Sequence, residues 1–390
     1  MKTLLSLIIL LSQCVLSQVQ IGPRICGNII DAETREPIAF ANIFISNSSI
    51  GGASDKNGYF ELRNLPYGRY EIIATVIGYE VLKAKVGIYN DDRRNFRFEM
   101  YKQPIQFPEI IVSGKDSWKR ARQLKQFKKN LLGASQNGKK TYITNEDIIY
   151  FKEDKHGILR AFSNEPLEIV NNALGYNISY VLEDFELAPE YVRYTGYPYF
   201  TERVATTFHD SVDWPENRKN TYTGSLRHFL TTICKNFEIT GGDTTTREQV
   251  KELGDITIDG IKLTYRDESK LEEEGFLVTQ TNYFYGWARH ADRRLVNTNW
   301  FLSETDNSNE LNLKFGGYLE VNYEDEFYPF ERVPRSLKSI SWINLNCDST
   351  ILDKQGRYFD IYAIKTAGLW SHERVADMLP FDYTIEEESK

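Results

Sequence analysis

The strongest constraint on the fold is a series of short β-prone runs between residues 25 and 100, separated by turn-forming residues. Glycine supplies the positive φ, and proline the fixed φ, that tight turns need. Short strands at such close spacing are typical of an antiparallel sandwich. We predict this sandwich over residues 24–102. Its strands are expected at residues 25–31, 38–45, 59–63, 70–77, 81–86 and 95–100.

Five segments of this region follow one another in a fixed order. They are GNIID at 27–31, EPIAFANI at 36–43, SDKNGYF at 54–60, LPYGRY at 65–70 and GY at 78–79. Together they resemble the carboxypeptidase-like regulatory domain, a transthyretin-like β-sandwich. The resemblance implies a module that folds, packs and positions its neighbours, and that carries no catalytic residues.

The histidines do not fit a zinc carboxypeptidase. Such a site needs two His ligands and a Glu, typically opening with His-x-x-Glu, because zinc takes N and O ligands. None of the five histidines has Glu three residues later, and His-Glu-x-x-His is absent. The chain also lacks a Gly-x-Ser-x-Gly elbow, a phosphate-binding glycine loop and a Cys-x-x-Cys pair. We therefore expect no enzymatic activity, no catalytic residue, no cofactor and no metal site.

The N-terminus has the pattern of a secretory signal peptide over residues 1–17. An apolar stretch at 4–11 follows a basic residue, and Val15 and Ser17 are small enough for the cleavage positions. The mature chain would then begin at Gln18. We expect an exported protein that is periplasmic, associated with the outer membrane or on the cell surface.

The cysteines leave one alternative open and exclude another. A lipoprotein signal would modify Cys14, although Gln13 is larger than the residue that usually precedes a lipidated cysteine. Cleavage leaves Cys26, Cys234 and Cys347, so at most one disulfide can form and a disulfide-stapled scaffold is excluded. Cys234 is expected to be a small buried hydrophobe.

Charge is distributed unevenly along the chain. The net charge of −8 argues against a nucleic-acid partner, and no later stretch is apolar enough for a membrane-spanning helix. Residues 115–140, however, contain nine basic residues and one acidic residue. Apolar residues recur there at helical spacing, at Ala121, Leu124, Phe127 and Leu131.

This pattern predicts a basic helical connector over residues 115–140, with the helix ending near Gly133. Its cations are either a solvated face or a surface that attracts anionic lipid headgroups or an acidic partner. The candidate interaction residues of this helix are Lys119, Arg122 and Lys129.

The remainder, residues 141–390, is predicted to be a β-rich α+β domain with a few helices. The whole chain is therefore classed as mainly β. Strands are expected at 141–151, 177–186, 256–265, 311–323, 337–345 and 358–365, with hairpin turns at Asp259-Gly260 and Gly316-Gly317.

One amphipathic helix is predicted in this region. Its apolar face is formed by Leu226, Phe229, Leu230, Ile233, Cys234 and Phe237. Ser225 or Thr223 can cap it. His228 falls on the other side of the helix and is expected to be a surface residue without a catalytic partner.

A second resemblance runs through nearly the whole mature chain. Its motifs are LRAF at 159–162, EPLEI at 165–169, ALGY at 173–176, YVLEDF at 180–185, YTGYP at 194–198, NR at 217–218, YTGS at 222–225, HF at 228–229, EGF at 274–276 and LPFDY at 379–383. They resemble a group of exported proteins of Bacteroidota-type bacteria that carry the regulatory-like domain. The resemblance implies a compartment and an architecture but no reaction.

Two aromatic clusters are candidate interaction surfaces. Exposed rings can stack on sugars or anchor a protein interface, although strands also favour aromatics for packing alone. The candidate residues are Tyr194, Tyr197 and Tyr199 in one cluster, and Tyr285 and Trp287 in the other.

Acidic runs provide weaker candidates. Neighbouring carboxylates on one strand alternate faces, so Glu183, Asp184 and Glu186 do not form the facing pair of a glycosidase. Asp55 and Asn57 are turn residues that could also be read as calcium ligands, but the twelve-residue calcium loop is absent.

The sequence therefore predicts a non-enzymatic exported protein of the cell envelope. We expect a binding or scaffolding accessory of an outer-membrane-associated complex, with an envelope protein as partner. The alternative is a carbohydrate-binding protein of a glycan-utilisation system. A hydrolase remains a third possibility only if His228 or His290 meets a carboxylate and a nucleophile in one pocket.

Overall fold

The computed structural model describes residues 23–63, 65–89, 93–103, 114–240, 252–258, 261–266, 276–281, 294–296, 298–323, 340–358, 360 and 362–385. The predicted signal peptide and Cys14 lie outside these residues. The described residues form three large hydrophobic cores and one small apolar cluster. We name the parts of the chain around the three large cores the sandwich, central and C-terminal modules.

The sandwich module confirms the predicted β-sandwich. Its strands are β1 (Arg24–Asp31), β2 (Asn42–Ile45), β3 (Gly51–Ala53), β4 (Tyr59–Leu62), β5 (Gly68–Thr75), β6 (Leu82–Ile88) and β7 (Arg93–Met100). They form two sheets, ordered β4-β1-β7 and β3-β2-β5-β6. One detail differs from a purely antiparallel sandwich, because β1 and β7 pair in parallel. Gly27 permits this pairing, since a Cβ there would lie 2.0 Å from the carbonyl oxygen of Phe96.

The central module combines helices with one six-stranded sheet. Its elements are α1 (Gly114–Leu132), α2 (Gln136–Lys139), β8 (Thr141–Ile143), β9 (Ile149–Glu153), β10 (Leu159–Ser163), β11 (Leu167–Asn171), β12 (Tyr176–Leu187), β13 (Val192–Glu202) and α3 (Phe208–Tyr222). The sheet order is β8-β11-β12-β10-β9, with β13 paired to the long strand β12. The single strand predicted at 141–151 is interrupted by a 3-10 turn at Glu146–Ile148.

The predicted basic helix is present as α1, and it belongs to the core of the central module. It ends before Gly133, whose φ of +96° suits glycine. Phe127 and Leu131 are fully buried against the sheet. The Phe127 ring centroid lies 4.7 Å from that of Phe185 and 5.7 Å from that of Phe151. Leu124, Phe127 and Leu131 thus fix the helix to the sheet, as the periodicity predicts. Ala121, the first residue of the predicted stripe, is exposed instead.

The C-terminal module packs one helix against two sheets. Its elements are α4 (Leu226–Thr240), β14 (Glu252–Ile258), β15 (Ile261–Arg266), β16 (Phe276–Thr281), β17 (Arg294–Leu295), β18 (Leu302–Glu304), β19 (Glu310–Leu313), β20 (Tyr318–Tyr323), β21 (Ile340–Leu345), β22 (Thr350–Asp353) and β23 (Ile364–Gly368). The larger sheet has the order β14-β15-β17-β16-β20-β21-β23, and the smaller one β18-β19-β22.

The apolar face of α4 was predicted correctly. Phe229, Ile233 and Cys234 are fully buried in the core of the C-terminal module. Ser225 is the cap, because its Oγ accepts a hydrogen bond of 3.1 Å from the backbone N of His228. The strand predicted at 311–323 is wrong as one element, since β19 and β20 on either side of Gly316-Gly317 belong to different sheets.

Within the described part of the chain, no helix combines the length and the apolar character that crossing a membrane requires.

The packing of α1 can be tested by truncating its central buried ring. Phe127→Ala should lower the free energy of unfolding by about 3–5 kcal/mol, because it leaves a cavity between the helix and the sheet. The measurement is urea unfolding followed by circular dichroism. Trp118→Ala on the same helix is the matched control, since Trp118 is 83% exposed, and should change stability by less than about 0.5 kcal/mol. Equal losses in both variants would contradict the observed orientation of the helix.

Candidate functional site

Tyr197 and Tyr199 lie between two modules. The hairpin of β12 and β13 packs on the second sheet of the sandwich, where Tyr197 is only 6% exposed and groups with Phe44, Ile73 and Val181. The ring of Tyr199 stacks on Phe44 with a centroid separation of 5.1 Å. The prediction that Tyr197 is an exposed platform is therefore wrong, because its ring closes an internal interface.

Backbone hydrogen bonds and one ion pair fix the same contact. The amide of Asn47 donates to the carbonyl of Pro198 at 2.7 Å, and the amide of Phe200 donates to Ser48 at 2.9 Å. Lys83 of the sandwich lies 2.6 Å from the carboxylate of Glu183. This contact joins the sandwich to the central module as a packed interface.

The remaining candidate aromatics do not form an open platform in the described residues. Tyr194 is half-buried against the central core, and the guanidinium of Arg374 lies 5.8 Å from its ring centroid. Tyr285 and Trp287 lie outside the described residues.

A C-terminal strap, residues 369–383, connects all three modules. Trp370 is buried in the C-terminal core, Val375 and Leu379 in the central core, and Phe381 packs against the sandwich core. One short segment thus contributes side chains to three cores in succession. The modules are consequently held in a defined arrangement.

Arg227 holds the strap at the start of α4. Its guanidinium donates to the carbonyl oxygens of Pro380 at 2.5 Å, Phe381 at 2.6 Å and Tyr383 at 2.7 Å. Burial lowers the pKa of this guanidinium. Three carbonyl acceptors satisfy donors that would be costly to bury unpaired.

The sandwich end of the strap contacts both neighbouring modules. The amide of Phe381 donates to the carbonyl of Asn47 at 2.9 Å. The guanidinium of Arg357 lies 4.4 Å from the ring centroid of Phe381 and 5.0 Å from that of Tyr70. Close by, Arg69 of the sandwich pairs with the buried carboxylate of Glu310 at 2.5 Å. The sandwich is therefore also docked on the C-terminal module.

Two carboxyl groups of the strap have raised pKa values. Burial, together with neighbouring Asp377, raises the pKa of Glu373 to about 8, although the backbone N–H of Leu226 at the start of α4 donates to it. Burial raises the pKa of Asp377 to about 6, opposed by hydrogen bonds from Ser135 Oγ (2.6 Å) and Asn137 Nδ2 (3.0 Å). These groups bind protons more tightly in the folded chain than in the unfolded chain.

This difference makes stability depend on pH. An acidic group whose pKa is higher in the folded than in the unfolded chain stabilises the folded chain. This stabilisation is fully present below the pKa of the unfolded chain and is lost as the pH rises through the pKa of the folded chain. We expect the free energy of unfolding contributed by Glu373 to fall by about 4 kcal/mol between about pH 4 and pH 8. Urea unfolding across this range should show a shallower slope for Glu373→Gln than for the native chain. Exposed Glu36 provides the control, and Glu36→Gln should keep the native slope; identical slopes in all three would refute this role of Glu373.

The candidate cations of α1 differ in their contacts. Both carboxylate oxygens of Glu153 lie 3.0 Å from Arg122, and Lys119 lies 3.9 Å away from this carboxylate. Lys129 is exposed on the outer face of the helix. The outer face of α1 therefore remains cationic, even though Arg122 and Lys119 lie close to Glu153.

The structure corrects the expectation that His228 is a surface residue. Its Nδ1 accepts a hydrogen bond of 3.0 Å from the amide of Gly224, and its ring contacts Tyr222, Phe276 and Tyr323. Burial lowers the pKa of His228 to about 4, so the ring is neutral at pH 7. The side of α4 that bears His228 is covered by strand β16 and by the preceding helix α3. The periodicity of α4 alone does not show this contact.

The carboxylates of the predicted acidic run form ion pairs with three cations, and Arg193 contacts two of them. Glu183 pairs with Lys83, Asp184 with Arg193 at 3.1 Å, and Glu186 with Arg160 at 2.8 Å. Asp55 Oδ1 accepts from the amides of Asn57 and Tyr59, as expected of a turn residue. Among the described residues, no cluster of His, Cys, Asp and Glu has the geometry of a metal site.

Sequence reasoning missed a cleft in the C-terminal module. It has a volume of about 700 Å³ and lies beside the turn Gly316-Gly317. Gln280 Nε2 and Asn344 Nδ2 donate to the two glycine carbonyls at 3.0 and 2.6 Å and brace this turn. The lining includes aromatic and charged side chains, namely Trp300, Phe301, Phe315, Lys314 and Asp348.

The composition of this cleft suits a polar ligand with apolar faces. Trp300 is 47% exposed and presents an indole for stacking. Lys314 and Asp348 offer a donor and an acceptor at the same site. The sequence signal for the cleft was limited to the predicted turn, because its walls come from distant parts of the chain.

Comparison with known proteins supports the assignment of the sandwich. Residues 25–112 match the model of the CarboxypepD_reg-like domain. The comparison with curated proteins gives no match.

Several solved structures share local similarity with the chain. The pilus 2b backbone protein of group B streptococcus is 18% identical, with a TM-score of 0.19, over 21% of this chain and 41% of that chain. The major pilin of Bacillus cereus is 20% identical, with a TM-score of 0.18, over 21% and 31%. A DUF3823 family protein from Bacteroides ovatus is 9% identical, with a TM-score of 0.17, over 47% and 82%. The chain spans less than half the length of either pilin, and similarities this low assign no common overall fold.

Proposed function

We propose that this protein is an exported, non-enzymatic component of the cell envelope that binds a protein partner. Its role is that of a scaffold or accessory in an outer-membrane-associated complex of a Bacteroidota-type bacterium. The observation that supports this role is the C-terminal strap, which holds three modules in one arrangement. A scaffold needs surfaces at fixed positions, because every degree of freedom lost on binding weakens the complex.

The environments of the described histidines favour binding over catalysis. His228 is neutral and committed to the amide of Gly224. His156, His209 and His372 are exposed and lie in three separate parts of the chain. A general acid or base must lie within hydrogen-bonding distance of a nucleophile and an orienting group. The carboxylates of Glu183, Asp184 and Glu186 are each engaged in an ion pair, as given above.

The proposal is tested by crosslinking the tagged full chain in intact cells of its source and identifying the products by mass spectrometry. We expect one envelope protein in stoichiometric amount. Arg227→Ala should reduce its yield at least about tenfold, because a loosened strap no longer holds the modules in the binding arrangement. Lys56→Ala, at an exposed turn of the sandwich, should leave the yield unchanged. Recovery of this chain alone, with and without crosslinker, would overturn the proposal.

Carbohydrate binding is a second candidate function because of one specific feature, the cleft beside Trp300. Sugars present apolar faces that stack on an indole and hydroxyl groups that pair with charged side chains. Trp300, Lys314 and Asp348 supply these groups in one place. Under this proposal the protein captures a glycan for a utilisation system.

A glycan array with the purified full chain tests this candidate. Trp300→Ala should reduce any positive signal at least about fivefold, because stacking on one ring contributes roughly 1 kcal/mol or more. Tyr142→Ala is the matched control, since Tyr142 is 48% exposed against 47% for Trp300 and lies in the central module. An array without signal, or equal losses in both variants, would exclude glycan binding at the cleft.

A further inference from the structure

Helix α1 has an outer face with an unusual combination of side chains. Trp118, Arg122, Lys125 and Lys129 follow at spacings of four, three and four residues, which places them on one stripe of the helix. Trp118 is 83% exposed. The opposite stripe is buried through Phe127, so the orientation of the outer face is fixed.

The cations of this helix fall into two groups. Arg120 donates to the carbonyls of Ile149 and Glu146, and Lys128 pairs with Glu146 at 2.7 Å. Arg122 and Lys119 share the single carboxylate of Glu153.

The second group is open to solvent. Lys125 and Lys129 are exposed and form no ion pair with any residue that the structure describes. The local cations therefore exceed the local carboxylates, although the whole chain has a net charge of −8.

We propose that this face of α1 docks the protein on an anionic lipid surface, with Trp118 inserted among the headgroups. Lysines near a membrane keep their ammonium groups at the phosphates while a tryptophan occupies the interface. The acidic remainder of the chain would be repelled by such a surface, so the helix also sets the orientation of approach. The inference concerns how the protein is held at a membrane, and it is independent of the partner proposed above.

A lipid surface fits this face better than an acidic protein does. Protein interfaces have an apolar centre and are depleted in lysine. Among the side chains that the structure describes, the outer stripe presents one indole with three cations and no second large apolar group. A bilayer requires no matching pocket, and each additional cation on the protein adds a similar free energy of attraction to an anionic bilayer.

The test is flotation of the full chain from Gln18 with vesicles of phosphatidylcholine containing phosphatidylglycerol, compared with phosphatidylcholine alone. We expect binding to the anionic vesicles, weakened by added salt. Lys125→Glu/Lys129→Glu should lower the partition coefficient at least about tenfold, because each cation near the surface contributes about fivefold. Lys56→Glu/Lys235→Glu makes the same charge change at two exposed sites in other modules and should retain most of the binding.

A second pair of variants tests the tryptophan. Trp118→Ala should weaken vesicle binding, whereas Phe208→Ala should not, although Phe208 is 81% exposed. Brominated lipid should quench the tryptophan emission of the native chain. Trp118→Phe should lose this quenching while it still floats with the vesicles.

Three outcomes would overturn the proposal. The first is equal binding to both kinds of vesicle, or none to either. The second is an equal loss in the two charge-reversal variants. The third is that Lys125→Glu/Lys129→Glu binds vesicles as the native chain does but no longer crosslinks to an acidic envelope protein. That result would assign the face to a protein partner. Because the vesicle experiment contains no partner protein, its failure leaves the proposed scaffold function standing.

Discussion

The architecture depends on the attachment of the C-terminal strap through Arg227. A buried guanidinium is stable only if its donors are satisfied, and here three carbonyl oxygens within four residues of the strap accept from it. The same segment places Trp370, Leu379 and Phe381 in three different cores. Displacing the strap would therefore expose apolar surface in every module at once, so their arrangement is cooperative.

The internal contacts use residues that sequence patterns mark as candidates for recognition. Tyr197 and Tyr199 seal the sandwich against the β12–β13 hairpin, and Arg69 and Arg357 dock it on the C-terminal module. An interface inside one chain has the same chemistry as an interface between chains, with aromatic rings and arginine at its centre. The two surfaces that we propose for other molecules lie elsewhere, at the Trp300 cleft and on the outer face of α1.

Local sequence patterns predicted the elements more reliably than their boundaries. Alternation and turn residues identified the sandwich, and apolar spacing identified α1 and the buried face of α4. Two predicted strands were wrong as single elements. Residues 141–151 are broken by a 3-10 turn, and 311–323 divides between two sheets, because a β-prone run contains no information about which partner each half will pair with. The candidate site was predicted less well, since the walls of the cleft come from β16, the Thr298–Trp300 turn, β20 and β21.

The sequence by itself determined the mainly β class, the sandwich at the N-terminus and the basic helix that ends at Gly133, because these depend on periodicity and on glycine φ preferences. Tertiary structure alone decided the neutral state of His228, the raised pKa of Glu373 and the burial of Tyr197. Each of these properties depends on groups distant in the chain that remove water from the side chain. Desolvation is a property of the assembled fold, and no local pattern of residues specifies it.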